Sequence, residues 1–470
     1  MIDRAGDAIP LWPVTADEFE RWASHQPAAV REWLSVHRFQ AKPGRFQTVP
    51  GKNGALQGVV VGVADPLSVW NFAALTQALP AGAYKVEPVR GHLDATAATN
   101  LALGWAYGGY RFTRYRKPPK DAGVARLVWP AKADRNYVAV AAAASTIVRN
   151  LINTPAGDLG PADLAEVALS LAADHRAQVE TTVGAGLLTS GYPMVHAVGK
   201  AGRQEPRLVD ILWGAAKGKA PRVTLVGKGV CFDTGGLDIK PPDAMLLQKK
   251  DMSGAAIALG LFHMIAARGL DVSVRVLLPM VENAISSDAY HPGDVLSSRK
   301  GLTVEIGNTD AEGRLLLGDA LAEADRERPD LLVDFATLTG AARVALGPEL
   351  PALYAKDDGT AATLSAIGME EADPMWRMPL WSPYDEWLES KIADMNNISG
   401  GSFAGSITAA LFLQRFVTRT DNWVHLDLFG WSPKPRPGHP EGAEPQTMRA
   451  VYRLIERHFA GRPKKAKRRK

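Results

Sequence analysis

From residue 208 onward, short apolar segments alternate with longer runs of helical spacing, and this alternation constrains the fold more than any other property of the chain. The strand-type segments are 208–212, 223–226, 272–278, 331–335 and 423–428. The helix-type runs are 254–267, 313–327, 406–417 and 448–458. Continuous apolar strands separated by helices predict an α/β unit with a mostly parallel central sheet flanked by helices. Ligands bind such sheets beyond the carboxyl ends of the strands. The segments that leave each strand are therefore where chemistry is to be sought.

At 470 residues the chain is too long for one ordinary core, and two domains are expected. The early sequence reads as a small α/β unit, with a buried strand at 58–63 and an alanine-rich helix at 95–107. It carries no titratable cluster, and the glycines around Val60 lack the spacing of a dinucleotide fingerprint. A basic stretch at 114–120 and a short strand at 126–129 follow. The helical run from Tyr137 ends where Pro155 forbids its continuation. The expected organisation is an N-terminal α/β domain at 1–136, a linking helix at 137–155, a larger domain at 156–460 and a basic tail at 461–470.

The formal net charge of +4 comes largely from that tail, so the folded body shows no general design for nucleic acid. Nucleic-acid contact is left open only through residues 461–470. The single cysteine, Cys231, excludes an intrachain disulfide and suggests a reducing compartment. Neither a signal-type N-terminus nor a bilayer-length apolar segment is evident, and a soluble cytoplasmic protein without membrane partners is expected.

The segment 227–240 (GKGVCFDTGGLDIK) leaves a strand and carries Lys228, Asp233 and Lys240. Its order of glycines and lysine does not match a phosphate-cradling loop, and its acids argue against one. Asp251 stands just before one helix, and Asp310 and Glu312 stand at the start of another. Taken singly, such carboxylates are ordinary helix caps. Taken as a set, Asp233, Asp251, Asp310 and Glu312 would repel one another unless divalent cations compensated them. Hard oxygen donors suit Mg, Mn or Zn, and a shared carboxylate can bridge two ions roughly 3.5–4 Å apart. The two lysines make sense beside them if one ligates as a neutral amine and the other polarises a reacting carbonyl.

The segments 227–240, 251–256 (DMSGAA), 282–295 and 308–315 (NTDAEGRL) closely resemble the leucine (cytosol) aminopeptidase family. Supporting matches lie at 153–155, 336–341, 392–395 and 408–413. The resemblance implies a metallo-aminopeptidase of leucyl aminopeptidase type, which releases N-terminal amino acids from peptides by two-metal activation of water. It implies two divalent ions per subunit, zinc or manganese, with Asp233 and Glu312 bridging both. Asp310 would complete one site, while Lys228 and Asp251 would complete the other. Lys240 would act as electrophile, Arg314 would hold a bicarbonate base, and Asp251 would meet the substrate amine. Thr337, Leu338, Gly340 and position 248 would line the substrate site. A homohexamer with active sites facing an interior cavity is also implied.

Two features depart from the family pattern. Position 248, usually methionine, is Gln248, which implies a broader or shifted preference for the first residue. A proline-rich insert occupies 433–440, for which a pocket-rim role and a neutral surface role both stay open. Cys231 reads as a buried structural thiol, and His425 and Asp427 as satisfied core polar groups. A silent structural hexamer and a two-metal phosphate-ester hydrolase are the rival readings. The retained ligand set counts against the first, and the lack of a further basic clamp counts against the second.

Overall fold

The structure, a computed structural model, describes residues 1–460 except positions 5, 90, 92, 117–123 and 215–219. The expected basic tail therefore lies outside the described residues. The chain divides into two compact units, Met1–Thr146 with Lys434–Glu441, and Ile147–Pro433 with Gly442–Lys470.

The first unit is built on a five-stranded sheet, in the order Phe46–Pro50, Leu56–Gly62, Ile9–Val14, Gly82–Val86, Ala125–Leu127. Alternation within Leu56–Gly62 explains why both faces are covered. Val59 and Val61 pack with Leu11, Phe72 and Trp105 on one side, while Val60 packs with Val14, Trp22 and Leu34 on the other. The helix Ala95–Gly108 starts where the Asp94 carboxylate accepts the Ala97 amide at 2.7 Å. The insert belongs to this unit. Its His439 ring lies 3.9 Å from that of Trp70, and no residue of 433–440 lines the cavity described below.

The second unit carries a nine-stranded sheet. Its strands are β1 (Gln178–Val183), β2 (Arg207–Trp213), β3 (Arg222–Gly227), β4 (Gly229–Asp233), β5 (Ser273–Asn283), β6 (Leu331–Ala336), β7 (Ala352–Ala355), β8 (Trp376–Arg377) and β9 (Trp423–Asp427). The order is β8-β7-β9-β6-β3-β5-β2-β1, with β4 pairing beside β5. The centre is parallel, as β9, β6, β3 and β5 all run one way. The flanks turn mixed, because β2 is antiparallel to β5, β1 to β2 and β7 to β9.

Three local expectations change. The glycine-rich segment is not loop throughout, because the apolar run Val230, Cys231, Phe232 lies in β4, where Gly229 and Val230 pair with Met280 and Val281 of β5. For the same reason β5 continues to Asn283 instead of ending near residue 278. The last helix is α-helical over Met448–Leu454 and then widens into a π-helical turn, Ile455–Phe459. No helix of the described residues is long and apolar enough to cross a membrane.

The helix Ser253–Arg268 is buried along almost its whole first three turns, which suits a sequence apolar on every face. It ends at Gly269, whose φ of +64° favours glycine. Near its start, Gly254 lets the backbone touch β6. A Cβ there would stand 2.0 Å from the Phe335 carbonyl oxygen, which accepts the Lys228 amide at 3.0 Å. Gly254→Ala is therefore expected to cost about 1–3 kcal/mol of stability through overpacking. Urea denaturation checks this, and an unchanged midpoint would contradict the packing argument.

Candidate metal centre

The carboxyl ends of the central strands deliver the candidate residues to one place. Lys228 sits in the gap between β3 and β4, Asp233 ends β4, and Thr337 follows β6. Asp251 comes after the short turn Gln248–Lys250, and Glu312 opens the helix Glu312–Arg326. Lys228, Asp233, Asp251 and Glu312 are all 3% exposed or less.

Carboxylate oxygens of Asp233, Asp310 and Glu312 lie within 4.8 Å of one another. Burial, reinforced by Asp233, raises Glu312 to about 8 and Asp310 to about 6. Two ammonium groups answer this charge. Lys228 Nζ lies 2.8 Å from Asp251 Oδ2 and 2.7 Å from Glu312 Oε1, and donates to the Thr337 carbonyl at 3.1 Å. Lys240 Nζ lies 2.8 Å from Asp233 Oδ2 and also pairs with Asp310. Burial opposes both lysine charges, yet the surrounding carboxylates hold both above the ordinary lysine range.

A shell of neutral groups fixes these carboxylates. Asp233 Oδ1 accepts from Asn283 Nδ2 at 2.8 Å and from the Gly235 amide at 2.9 Å. Asn283 also donates to the Thr309 carbonyl at 3.1 Å, and the Tyr290 hydroxyl donates to the same oxygen at 2.6 Å. Thr337 Oγ1 donates to Asp251 Oδ1 at 2.6 Å. Gly313 is required next to Glu312, since a Cβ would stand 2.6 Å from Cε of Lys228. Oriented carboxylates of this kind suit a divalent cation. Glu312 Oε2 is buried and receives no hydrogen bond, an opening that such a cation fits.

A cavity of about 300 Å³ collects most of the residues singled out from the sequence. Lys228, Asp233, Lys240, Asp251, Asp310 and Glu312 line it, as do Thr337, Leu338 and Gly340. Gln248 lines it too, half-buried, with Nε2 donating to the Ala244 carbonyl at 2.7 Å. Arg314 does not line it. Its Nη1 donates to the Asn397 carbonyl at 2.6 Å, its Nε is buried without a partner, and burial lowers its pKa to about 10.

Lys250, Arg343 and Phe429 are among the cavity residues that the sequence reading did not single out. Nothing in the sequence singles out Lys249 or Lys250. In the fold, however, Lys250 is buried, and that burial lowers its pKa to about 8. Cys231 is buried and burial pushes its thiol up, as expected of a structural cysteine. His425 Nδ1 lies 2.6 Å from Asp334, and Asp427 accepts from Thr339, so both are core polar groups.

Residues 146–453 match the cytosol aminopeptidase family, catalytic domain, and residues 9–130 match the M17 aminopeptidase N-terminal domain. The chain belongs to the cytosol aminopeptidase family. It is thereby a metallo-aminopeptidase, a metal-dependent hydrolase of peptides at their N-terminus. A probable cytosol aminopeptidase of Caulobacter vibrioides is 39% identical over 455 residues, 92% of each chain. The crystal structure of cytosol aminopeptidase from Coxiella burnetii is 45% identical and superposes with a TM-score of 0.92, covering 97% of this chain and 98% of that one. A bottromycin maturation enzyme in complex with Mn is 32% identical with a TM-score of 0.84, over 96% and 99% of the two chains.

The raised carboxylates give the ion-free protein a defined pH dependence. Unfolded, Glu312 loses its proton near 4.5; folded, it keeps it to about 8. The native state therefore binds more protons across that window, and its stability falls as pH rises from about 4.5 to about 8. Asp310 adds to this slope up to about 6, and the lysines act only above the window. Glu312→Gln cannot ionise and is expected to remove much of the slope. Thermal midpoints of stripped wild type and variant between about pH 5 and pH 8 check this, and identical slopes would contradict it.

Proposed function

We propose that the chain removes N-terminal residues from peptides with two divalent ions, zinc or manganese, held by the carboxylate cluster. In this reading Asp233 and Glu312 serve both ions, Asp310 completes one site, and Lys228 and Asp251 complete the other. The observation that carries it is the approach of Asp233, Asp310 and Glu312 within 4.8 Å, with Glu312 Oε2 left without a donor. Bound ions would supply Lewis-acid polarisation of the carbonyl and a water of lowered pKa.

The chain's own groups supply the rest. Lys240 keeps its proton at Nζ, because Asp233, Glu312 and Asp310 stabilise the charge against burial. It therefore serves as a hydrogen-bond donor to the oxyanion that develops at the scissile carbonyl, and not as a base. Asp251 is the acceptor for the substrate's α-ammonium. This explains selection for a free N-terminus, since a blocked amine could neither ligate nor pair. Lys228 must lose a proton to ligate, so ion uptake releases protons. Arg314 is the seat of a bicarbonate base, a role supported by its buried, unpartnered Nε. A guanidinium held in low dielectric with no carboxylate of its own gains from an anion beside it.

Gln248 in the cavity wall supports a first-residue preference that is broader than leucine or shifted from it. The relatives' cytosol naming supports a cytoplasmic location. Exposed Trp376, Trp381, Ile392 and Phe403 offer apolar surface that a homohexamer would cover.

Stripped protein should hydrolyse no aminoacyl-p-nitroanilide and should recover activity when re-supplied with Mn or Zn. Asp310→Asn should lower kcat/KM by about 100-fold or more while leaving the fold intact by circular dichroism. Activity that survives stripping, or no activity with any ion, would defeat the reading. Light scattering is expected to report a hexamer at working concentration, and a monomer would remove that part alone.

A further inference from the structure

Two of the four cations that line the cavity pair with none of its carboxylates among the described residues. Lys228 and Lys240 are matched by Asp251, Glu312, Asp233 and Asp310. Lys250 is not matched. It is 6% exposed and lines the cavity, yet its ammonium makes no ion pair or hydrogen bond among the described residues. Its Nζ stands 4.7 Å from the centroid of the Phe429 ring. Arg343, on the helix Gly340–Leu346, places Cζ 5.1 Å from the centroid of the same ring and also has no carboxylate partner. Two cations thus share one aromatic ring in the wall of the cavity.

The acids that act on Lys250 are committed elsewhere. Asp251 pairs with Lys228 and accepts from Thr337, while Asp427 accepts from Thr339 Oγ1 at 2.6 Å and from the Leu338 amide at 3.0 Å. Asp243 also lines the cavity but pairs with neither cation. If Lys250 only propped Phe429, an apolar side chain of similar length would do so without the cost of burying a charge. A cation–π contact offsets part of that cost, and an anion would offset far more.

We propose that Lys250 and Arg343 form an acid-recognising subsite that binds a carboxylate of the substrate beside the metal centre. This rests on the aminopeptidase reading. Two sources share the chemistry: an acidic side chain on the first residue, and the terminal carboxylate of a dipeptide.

The test uses the Mn-reconstituted full chain as wild type, Lys250→Met, Lys250→Arg and Arg343→Met. Rates are compared for glutamyl- against glutaminyl-p-nitroanilide, and for leucyl-glycine against leucyl-glycine amide. In Lys250→Met one of the two ratios of kcat/KM should fall about tenfold or more through KM. Lys250→Arg should retain the preference, which a merely structural lysine would not require. Arg343 is exposed, so Arg343→Met tests the same ratio without a folding risk. The pair that responds identifies the source, and both ratios unchanged in both Met variants overturn the proposal. If no substrate is hydrolysed, the aminopeptidase reading fails. Calorimetric titration of L-glutamate against L-glutamine, and of the dipeptide against its amide, still decides the subsite. Equal affinities within both pairs in wild type would sink it.

Discussion

Carboxylates crowded into a space with little water repel one another, and the second unit is organised around the cations that relieve that repulsion. Asp233, Asp251 and Glu312 are nearly inaccessible, and burial pushes the Glu312 carboxyl up to about 8. Lys228 reaches between Asp251 and Glu312, and Lys240 between Asp233 and Asp310. That arrangement fixes much else. Gly313 must lack a side chain to admit the Lys228 stem, and Gly254 must lack one so that Lys228 can be tied to β6. The parallel strands matter here because their ends bring residues far apart in sequence to one edge of the sheet. Divalent ions would take over the compensation and leave the lysines free for other work.

Much of this was legible in the sequence, for reasons that differ between elements. The central strands are continuous apolar runs, so their existence and parallel pairing followed from patterning. β4 was hidden because it is short, flanked by glycines and separated from β3 by Lys228 alone. The carboxylates and lysines were legible as a set, since four acids at strand ends have few purely structural explanations. Lys250 was not, because two adjacent lysines look like solvated surface. Only the turn Gln248–Lys250 decides that Lys249 reaches the Asn153 carbonyl while Lys250 turns toward Phe429. Nothing local marked the insert as part of the first unit either; its partner, Trp70, lies hundreds of residues away in sequence.

Arg314 shows how proximity in sequence differs from proximity in space. It stands two residues after Glu312, yet its guanidinium is tied to the Asn397 carbonyl and not to the carboxylate cluster. Its isolation without a carboxylate is a different kind of charge from that of Lys228, and the two should respond differently to small anions.

The strand order has a consequence for how the molecule is made. β9, the neighbour of β6 near the middle of the sheet, is contributed by residues Trp423–Asp427, after every other strand of that sheet has been synthesised. Until it emerges from the ribosome, β7 and β8 have no edge to join, and the wall bearing Leu428 and Phe429 does not exist. A nascent or prematurely ended chain therefore carries most of the ligand set but no closed cavity.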